Sequence, residues 1–154
     1  MLFLVFELDG DRYALESRQL IEVLPLVYLK PLPNAPPGIA GVFDYHHLPV
    51  PAVDLSEVIL GRTARRRMST RVVIVNYVAS DDSTHALGLI AERATATVRL
   101  EQTQFSESGV SSSDAPYLGP VARDSRGLIQ WLTVSRLLPP AVRNVLFQDD
   151  AARS

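Results

Sequence analysis

A proline-rich elbow at residues 31–37, PLPNAPP, most restricts what this chain can fold into. Proline fixes its own φ angle and lacks a backbone N–H donor, so this segment cannot be a helix interior or a central strand. Gly38 and Gly41 follow it. Glycine permits a positive φ or a close approach of two backbones. A polar turn at 44–47 then separates two strand-like runs, so the elbow predicts a loop that leads into β structure.

The second of these runs ends in a helix signal. Asp54 precedes the sequence LSEVIL, and Gly61 follows it. An aspartate side chain can accept hydrogen bonds from the first free N–H groups of a helix, and glycine commonly ends one. The pattern therefore predicts a short helix capped by Asp54 that stops at Gly61.

Most of the chain has the pattern of short strands separated by turns. Gly88 interrupts one apolar run and marks a bulge or a close backbone approach. About ten short strands favour a barrel or a pair of small barrels, and Pro140 is predicted to begin a last helix that reaches Gln148. Besides the two runs around the turn at 44–47, the predicted strands lie at 3–8, 12–15, 21–24, 71–78, 85–91, 95–100, 117–122 and 128–132.

Composition limits the class of protein. The 154 residues have a net charge of -2, 47% hydrophobic residues and no cysteine. The chain can bury a real core, but it has neither a disulfide framework nor a thiolate site, and its charge gives no general reason to bind nucleic acid. The apolar run 2–6 is too short for a signal peptide or a membrane span. We therefore expect a soluble, cytoplasmic protein with no direct membrane insertion.

The whole string PLPNAPPGIAGV…PVPAVDL resembles the signature of CheW-like domains, the coupling adaptors of bacterial chemosensory arrays. The resemblance extends over 3–138 and includes the opening hairpin, Glu22-Val23-Leu24, the run LGLIAE at 87–92 and the last hairpin. It implies an all-β fold of two interlaced five-stranded SH3-like barrels with short helices. We expect one CheW-like domain at 1–148, with the first barrel mainly in 16–70, the second mainly in 71–138 with the N-terminal strand, and a frayed tail at 149–154.

The resemblance also implies a function. Members of the family are non-enzymatic scaffolds that couple chemoreceptors to a CheA-type histidine kinase, and they use no cofactor, metal or catalytic residue. One surface binds the regulatory domain of the kinase, and another binds the chemoreceptor's cytoplasmic tip. Carried over to matching positions, the kinase-binding residues are Leu20, Glu22 and Gly41, and the receptor-binding residues are His46, Arg71, Val72, Leu87 and Gly88.

One departure from the family pattern stands out. Where the family has Arg-Gly in the turn, this chain has His46-His47, with Asp44 before them and Pro49 after them. In many family members the arginine can pair with the glutamate that corresponds to Glu22, and here His46 could take its place. A specialised adaptor, serving a chemosensory system other than motility, is one interpretation of these changes.

Other hypotheses remain beside the scaffold. A double barrel could bind a small ligand or nucleic acid, because fold does not determine function. His46 and His47 with Asp44 and Asp54 could bind a metal only if a turn brought them together, and the serines at 106–113 with His85 lack the frame of a nucleophilic triad.

The arginines at 62, 65, 66, 67 and 71 favour a solvated loop, with a contact for an acidic partner or phosphate as the alternative.

Overall fold

The computed structural model describes residues 1–79, 81–107 and 115–147. The tail expected to fray at 149–154, and residues 108–114 of the serine-rich loop, lie outside the described residues. The elements follow in chain order: β1 Leu2–Leu8, β2 Asp11–Glu16, β3 Leu20–Pro25, β4 Ile39–Tyr45, β5 Leu48–Asp54, α1 Leu55–Leu60, β6 Arg71–Val78, β7 Thr84–Ala91, β8 Ala96–Arg99, β9 Phe105–Ser106, β10 Leu118–Asp124, β11 Gly127–Leu132 and α2 Pro140–Leu146.

The described strands form two sheets, which confirms the predicted mostly-β class. The first sheet has the order β8-β1-β2-β11-β10-β9, and the second has the order β3-β6-β7-β5-β4. Most pairs are antiparallel, but β11 runs parallel to β2 and β5 runs parallel to β7. Within the described ranges, the edge strands of each sheet are not paired with one another, so neither sheet closes into a complete barrel.

Sheet membership divides the chain differently from the expected barrels. The second sheet takes its strands from 20–54 and 71–91, whereas the first takes them from the two ends, 2–16 and 96–132. The division expected near residue 70 therefore falls inside the second sheet. The reason is that β6 pairs along its whole length with β7 and also with β3. The pairing of β3 with β6 joins the chain before the arginine loop, residues 61–70, to the chain after it.

Three apolar clusters account for this arrangement. The largest lies between the sheets and combines Phe6 and Leu15 of the first with Val73 and Leu89 of the second. Each sheet also encloses a smaller cluster of its own on its other face. Strand β6 is buried on both faces because its successive side chains point to opposite sides: Val72 and Ile74 enter the second sheet's own cluster, while Val73, Val75 and Tyr77 enter the shared one.

Helix α1 confirms the predicted capping. The Asp54 side chain accepts hydrogen bonds from the backbone N–H groups of Ser56 and Glu57, and Gly61 ends the helix with a φ of 76°. The second carboxylate oxygen of Asp54 accepts from the N–H of Ala64 at 2.9 Å. This buried side chain thus fixes both the start of the helix and the loop that follows it.

Arg62 joins the two sheets electrostatically. Its guanidinium donates to Asp9, in the turn between β1 and β2, and to Glu92, just after β7, each at 2.8 Å. The Glu92 carboxylate also accepts from the buried hydroxyl of Ser56. Arg62 is therefore a structural residue, although the sequence pattern favoured a solvated loop for all the arginines of this segment.

These ion pairs predict a dependence of stability on pH. The hydrogen bond from Arg62 lowers the pKa of Asp9. Desolvation raises the pKa of Glu92, but the hydrogen bonds from Arg62 and Ser56 outweigh it, so that this pKa is also lowered. A carboxylate whose pKa is lower in the folded state stabilises the fold at pH values above its ordinary pKa, which is 3.8 for Asp9 and 4.5 for Glu92. This stabilisation is lost as the pH falls through the lowered pKa of the folded state.

We expect that lowering the pH from about 5 to about 3 reduces the free energy of unfolding less in Arg62→Gln than in the wild type. Urea titrations at a series of pH values measure this. Arg99→Gln, a change at an exposed arginine of β8, is the control and should keep the wild-type slope. Parallel pH profiles for the wild type and Arg62→Gln would contradict the role given to Arg62.

In the parts of the chain that the structure describes, no helix has the length and apolar character needed to span a bilayer.

Candidate protein-interaction surface

Strand β3 carries the first expected contact residues and forms an edge of the second sheet. Within the described chain its ladder partner is β6, so its other side has no strand beside it. Ile21 and Val23 are 44% and 41% exposed, and Glu22 between them is also exposed. Leu20 is half-buried at the start of the strand. The result is an apolar strand edge with a carboxylate at its centre.

A tyrosine, rather than a histidine, positions the Glu22 carboxylate. The hydroxyl of Tyr45, at the end of β4, donates to Glu22 at 2.6 Å. This hydrogen bond, with a smaller contribution from burial, raises the pKa of Tyr45. His46 Nε2 is 4.0 Å from the same carboxylate oxygen, and the His46 side chain is 76% exposed. The expected His46–Glu22 pair is thus only at the outer limit of an ion pair.

The two histidines form the loop between β4 and β5. Tyr45 pairs with Leu48, so the loop has two residues, and both have positive φ angles, 50° at His46 and 68° at His47. This is the conformation of a type I′ turn, which prefers Asn-Gly. The side chain of Asp44 accepts from the His47 backbone N–H at 2.8 Å and helps to hold it.

The expected receptor residues do not all lie at the surface. Val72 and Leu87 are fully buried, and Gly88 is buried against the ring of Phe43. They lie on β6 and β7, central strands that are covered on both faces, so these three residues are not accessible in this conformation. Val72 belongs to the second sheet's own apolar cluster, and Gly88 lies against Phe43 of that cluster, whereas Leu87 faces the core shared between the sheets.

His46 and Arg71 remain as accessible members of that set. His46 is exposed beside Glu22, whereas Arg71 is half-buried at the opposite end of β3, where it pairs with Pro25. Gly41, expected to shape the kinase surface, is buried and lies against the backbone of Lys30. The structure therefore places Glu22 and His46 together and leaves Arg71 at a separate part of the same sheet.

The other chemical hypotheses gain no support from the described residues. No group of three or more potential metal-binding side chains occurs among them. Asp54 is buried at the start of α1, away from the exposed histidine turn. His85 contacts Ser83 at 2.9 Å, and Ser83 contacts Asp81, but this order puts serine between the other two rather than at the end of a triad.

Three residues of this surface were missed from the sequence. Tyr45 was missed because its partner, Glu22, is 23 positions away. Tyr28 and Met68 are 83% and 94% exposed. Both carried a signal that could have been used: each is a large apolar side chain inside a proline-rich or arginine-rich segment with no strand pattern.

Comparison with protein families decides the class of this chain. The model of the CheW-like domain matches residues 2–141. The chain belongs to the CheW-like domain family. A solved CheW-like relative, the scaffolding protein TtCheW from Thermoanaerobacter tengcongensis, superposes with a TM-score of 0.80 at 18% identity, covering 92% of this chain and 89% of that one. That likeness supports the fold. A search of curated proteins finds no match.

The histidine turn of this CheW-like domain departs from the family pattern at two positions, and each change has a structural consequence. Where the family's turn pattern has arginine, His46 is shorter and reaches Glu22 only at 4.0 Å. Where the pattern has glycine, His47 must adopt a positive φ of 68°. A side chain with a Cβ atom is strained there, at about 1–2 kcal/mol per residue.

We expect His47→Gly to be more stable than His47→Ala by about 1 kcal/mol, because only glycine relieves the positive φ at this position. Both variants remove the imidazole, so the comparison isolates the backbone effect. Chemical denaturation of the two variants measures the difference. Equal stability, or a more stable alanine variant, would show that the turn is not strained at His47.

Proposed function

We propose that this CheW-like domain is a non-catalytic scaffold that couples a chemoreceptor tip to the regulatory domain of a CheA-type histidine kinase in the cytoplasm. Family membership supports the general role, since members of this family are chemosensory adaptors. The edge strand β3 carries the proposal at the level of residues. It combines exposed apolar side chains, an unpaired strand edge and a carboxylate with a fixed direction.

The kinase surface is proposed on β3. An exposed strand edge can accept a strand or a loop of a partner, with backbone hydrogen bonds providing affinity and alternate side chains providing specificity. Ile21 and Val23 supply apolar area, and Glu22 supplies the charge that a basic group of the partner would meet. The hydroxyl of Tyr45 restrains the carboxylate before binding, which lowers the entropic cost of ordering it.

The receptor surface is proposed to include the accessible residues His46 and Arg71, which lie at opposite ends of β3. At His46 it borders the kinase surface, since His46 Nε2 lies 4.0 Å from the Glu22 carboxylate. Beneath it, Gly88 has no side chain, so the ring of Phe43 can pack close to β7. Val72 lies with Phe43 in the second sheet's own apolar cluster. Substitutions at the buried positions are therefore expected to act through the shape of this surface. Substitutions at His46 and Arg71 are expected to act through contact.

The mechanism of such a scaffold is geometric. It holds the regulatory domain of the kinase at a fixed position beside the receptor tip, so that two receptor states favour two kinase states. A scaffold of this kind requires only that each partner binds one of two arrangements with a different affinity. No group is transferred and no cofactor is used.

Charge reversal at the centre of the edge strand tests the kinase surface. We expect Glu22→Arg to weaken binding to the regulatory domain at least about tenfold, since it places a cation where a restrained carboxylate stood. Isothermal titration with circular dichroism as the fold check measures this. Asp11→Arg, at an exposed position of β2 in the other sheet, makes the same charge change and should alter affinity less than about twofold.

An unchanged affinity in Glu22→Arg, with a native circular dichroism spectrum, would remove β3 from the kinase surface. Equal losses in both variants would indicate that net charge, rather than the strand edge, controls the affinity.

A further inference from the structure

A groove lies on the second sheet, at the far end of β3 from the histidine turn. It has a volume of about 650 Å³. Arg71 is the only expected contact residue among those that line it. The lining residues are Pro25, Leu26, Val27, Tyr28, Arg66, Arg67, Met68, Thr70 and Arg71; we call this the arginine groove.

Two of the most exposed apolar side chains in the described chain border this groove. Tyr28 is 83% exposed and Met68 is 94% exposed. Both line the same groove as Leu26 and Val27, and apolar side chains that lie together at a surface, unlike single ones, are typical of interaction sites. Tyrosine, methionine and arginine are also the residue types enriched in protein–protein interfaces, and all three occur here together.

The charge of the arginine groove is one-sided. Its lining includes three arginines and no acidic side chain. Within the described ranges the ion pairs of the arginine loop involve Arg62 and Arg65, both of which bind Asp9, while none involves Arg66, Arg67 or Arg71. An adjoining groove that shares Val27 and Tyr28 has mixed charge, since both Lys30 and Asp44 line it, so the one-sided charge is confined to the arginine groove. The partner that complements this surface is acidic.

The loop that presents these side chains is held in place. The Thr70 hydroxyl is buried and donates to the Arg65 carbonyl, while it accepts from the Arg67 backbone N–H. The Thr70 N–H closes a turn onto the Arg67 carbonyl at 3.0 Å. Ala64, just before the loop, is fixed by Asp54. Arg66, Arg67 and Met68 therefore point outward from a fixed backbone, which reduces the entropy lost on binding.

We propose that the arginine groove binds an acidic segment of a partner protein that also carries apolar side chains, such as an amphipathic helix with glutamates on one face. The apolar face would cover Tyr28 and Met68, and the carboxylates would meet Arg66 and Arg67, which bind carboxylates in a bidentate manner. The groove shares Arg71 with the receptor surface proposed above, but it does not include Glu22 and does not depend on where the kinase binds.

The test is a fluorescence-anisotropy titration of the full chain with a synthetic amphipathic peptide that carries glutamate on one face and leucine and phenylalanine on the other. A second peptide has glutamine in place of each glutamate. We expect the acidic peptide to bind at least about tenfold more tightly than the glutamine peptide, with an affinity that falls as salt is raised.

Matched variants locate the binding. Arg66→Glu with Arg67→Glu should weaken the acidic peptide at least about tenfold, and Met68→Ser should weaken it about fivefold. The controls lie on the other sheet: Arg99→Glu with Arg123→Glu makes the same charge change, and Leu128→Ser removes an apolar side chain that is 56% exposed. Both controls should remain within about twofold of the wild type.

Three results would overturn the proposal. The first is a failure of the acidic peptide to bind, and the second is wild-type affinity for that peptide in the Arg66/Arg67 double variant. The third is tighter binding of phosphatidylglycerol vesicles or single-stranded oligothymidine that is lost in the double variant. The last result would assign the groove to a lipid surface or a nucleic acid. Kinase binding by the Arg66/Arg67 variant should be unchanged, so this test and that of Glu22 fail independently.

Discussion

A Gly41→Ala variant is expected to lose about 3 kcal/mol of unfolding free energy, because a clash and a strained backbone act together there. An added Cβ atom would lie 2.5 Å from the carbonyl oxygen of Lys30, and Gly41 has a φ of 148°. The neighbouring Lys30 backbone cannot easily retreat, since it exchanges two hydrogen bonds with Val42 at 2.8 and 2.9 Å. Urea denaturation measures the loss.

Two other glycines separate the causes. Gly10 also has a positive φ, but nothing lies within 4 Å of its added Cβ, so Gly10→Ala reports strain alone. Gly88 lacks the positive φ, but its Cβ would lie 2.6 Å from the Phe43 ring, so Gly88→Ala reports contact alone. Gly41→Ala should exceed both. A loss no larger than that of Gly10→Ala would mean that the Lys30 backbone does not pack against β4 as described.

An Asp54→Ala variant is expected to be destabilised by a similar amount, about 3 kcal/mol, because three backbone N–H groups lose their acceptor. The donors are Ser56 and Glu57, at 3.0 and 3.2 Å from one carboxylate oxygen, and Ala64, at 2.9 Å from the other. Asp54 is only 2% exposed, so water cannot readily replace the lost bonds. Thermal and urea unfolding measure the effect.

Asp54→Asn is the matched variant. Asparagine keeps one acceptor oxygen. If this oxygen accepts from the N–H groups at the start of α1, the NH₂ group faces the N–H of Ala64. If the amide is flipped, the oxygen accepts from Ala64 and the NH₂ group faces the start of the helix. We expect about half of the loss seen with alanine. If the asparagine variant is as unstable as the alanine variant, the charge of the side chain matters more than its geometry, and the capping account is wrong.

The elements that could be predicted from sequence are those fixed by local chemistry. Asp54 and Gly61 specify both ends of α1 within eight residues. The sequence Asp9-Gly10 specifies the turn between β1 and β2, where both residues have positive φ angles. The apolar run 71–78 forms β6 over the predicted residues. In each case the signal and the structure occupy the same few positions.

The assignment of strands to sheets depends on pairings that no local pattern reveals. Strand β11 lies parallel to β2, so the two ends of the chain meet in one sheet. An alternating or apolar run predicts a strand but not its neighbour. For the same reason the burial of Val72, Leu87 and Gly88 was not visible: an apolar residue on a strand can face either a partner or the core.

The candidate site shows the same limit. Glu22 could be identified from its motif, but the hydroxyl that restrains it comes from Tyr45 across the sheet. The histidine turn could be identified as unusual, and its strain then followed from the φ angles of the two residues. The arginine loop was separated into structural and exposed members only once Arg62 was seen to bridge Asp9 and Glu92.

The proposed scaffold must bind two partners at once. The most direct measurement is a titration of the full chain with a CheA-type regulatory domain from the same source, repeated in the presence of a saturating chemoreceptor tip. We expect micromolar or tighter binding to each partner and a ternary complex in which neither displaces the other. Binding to neither partner by folded protein would rule out the scaffold role, and displacement of one partner by the other would rule out simultaneous binding.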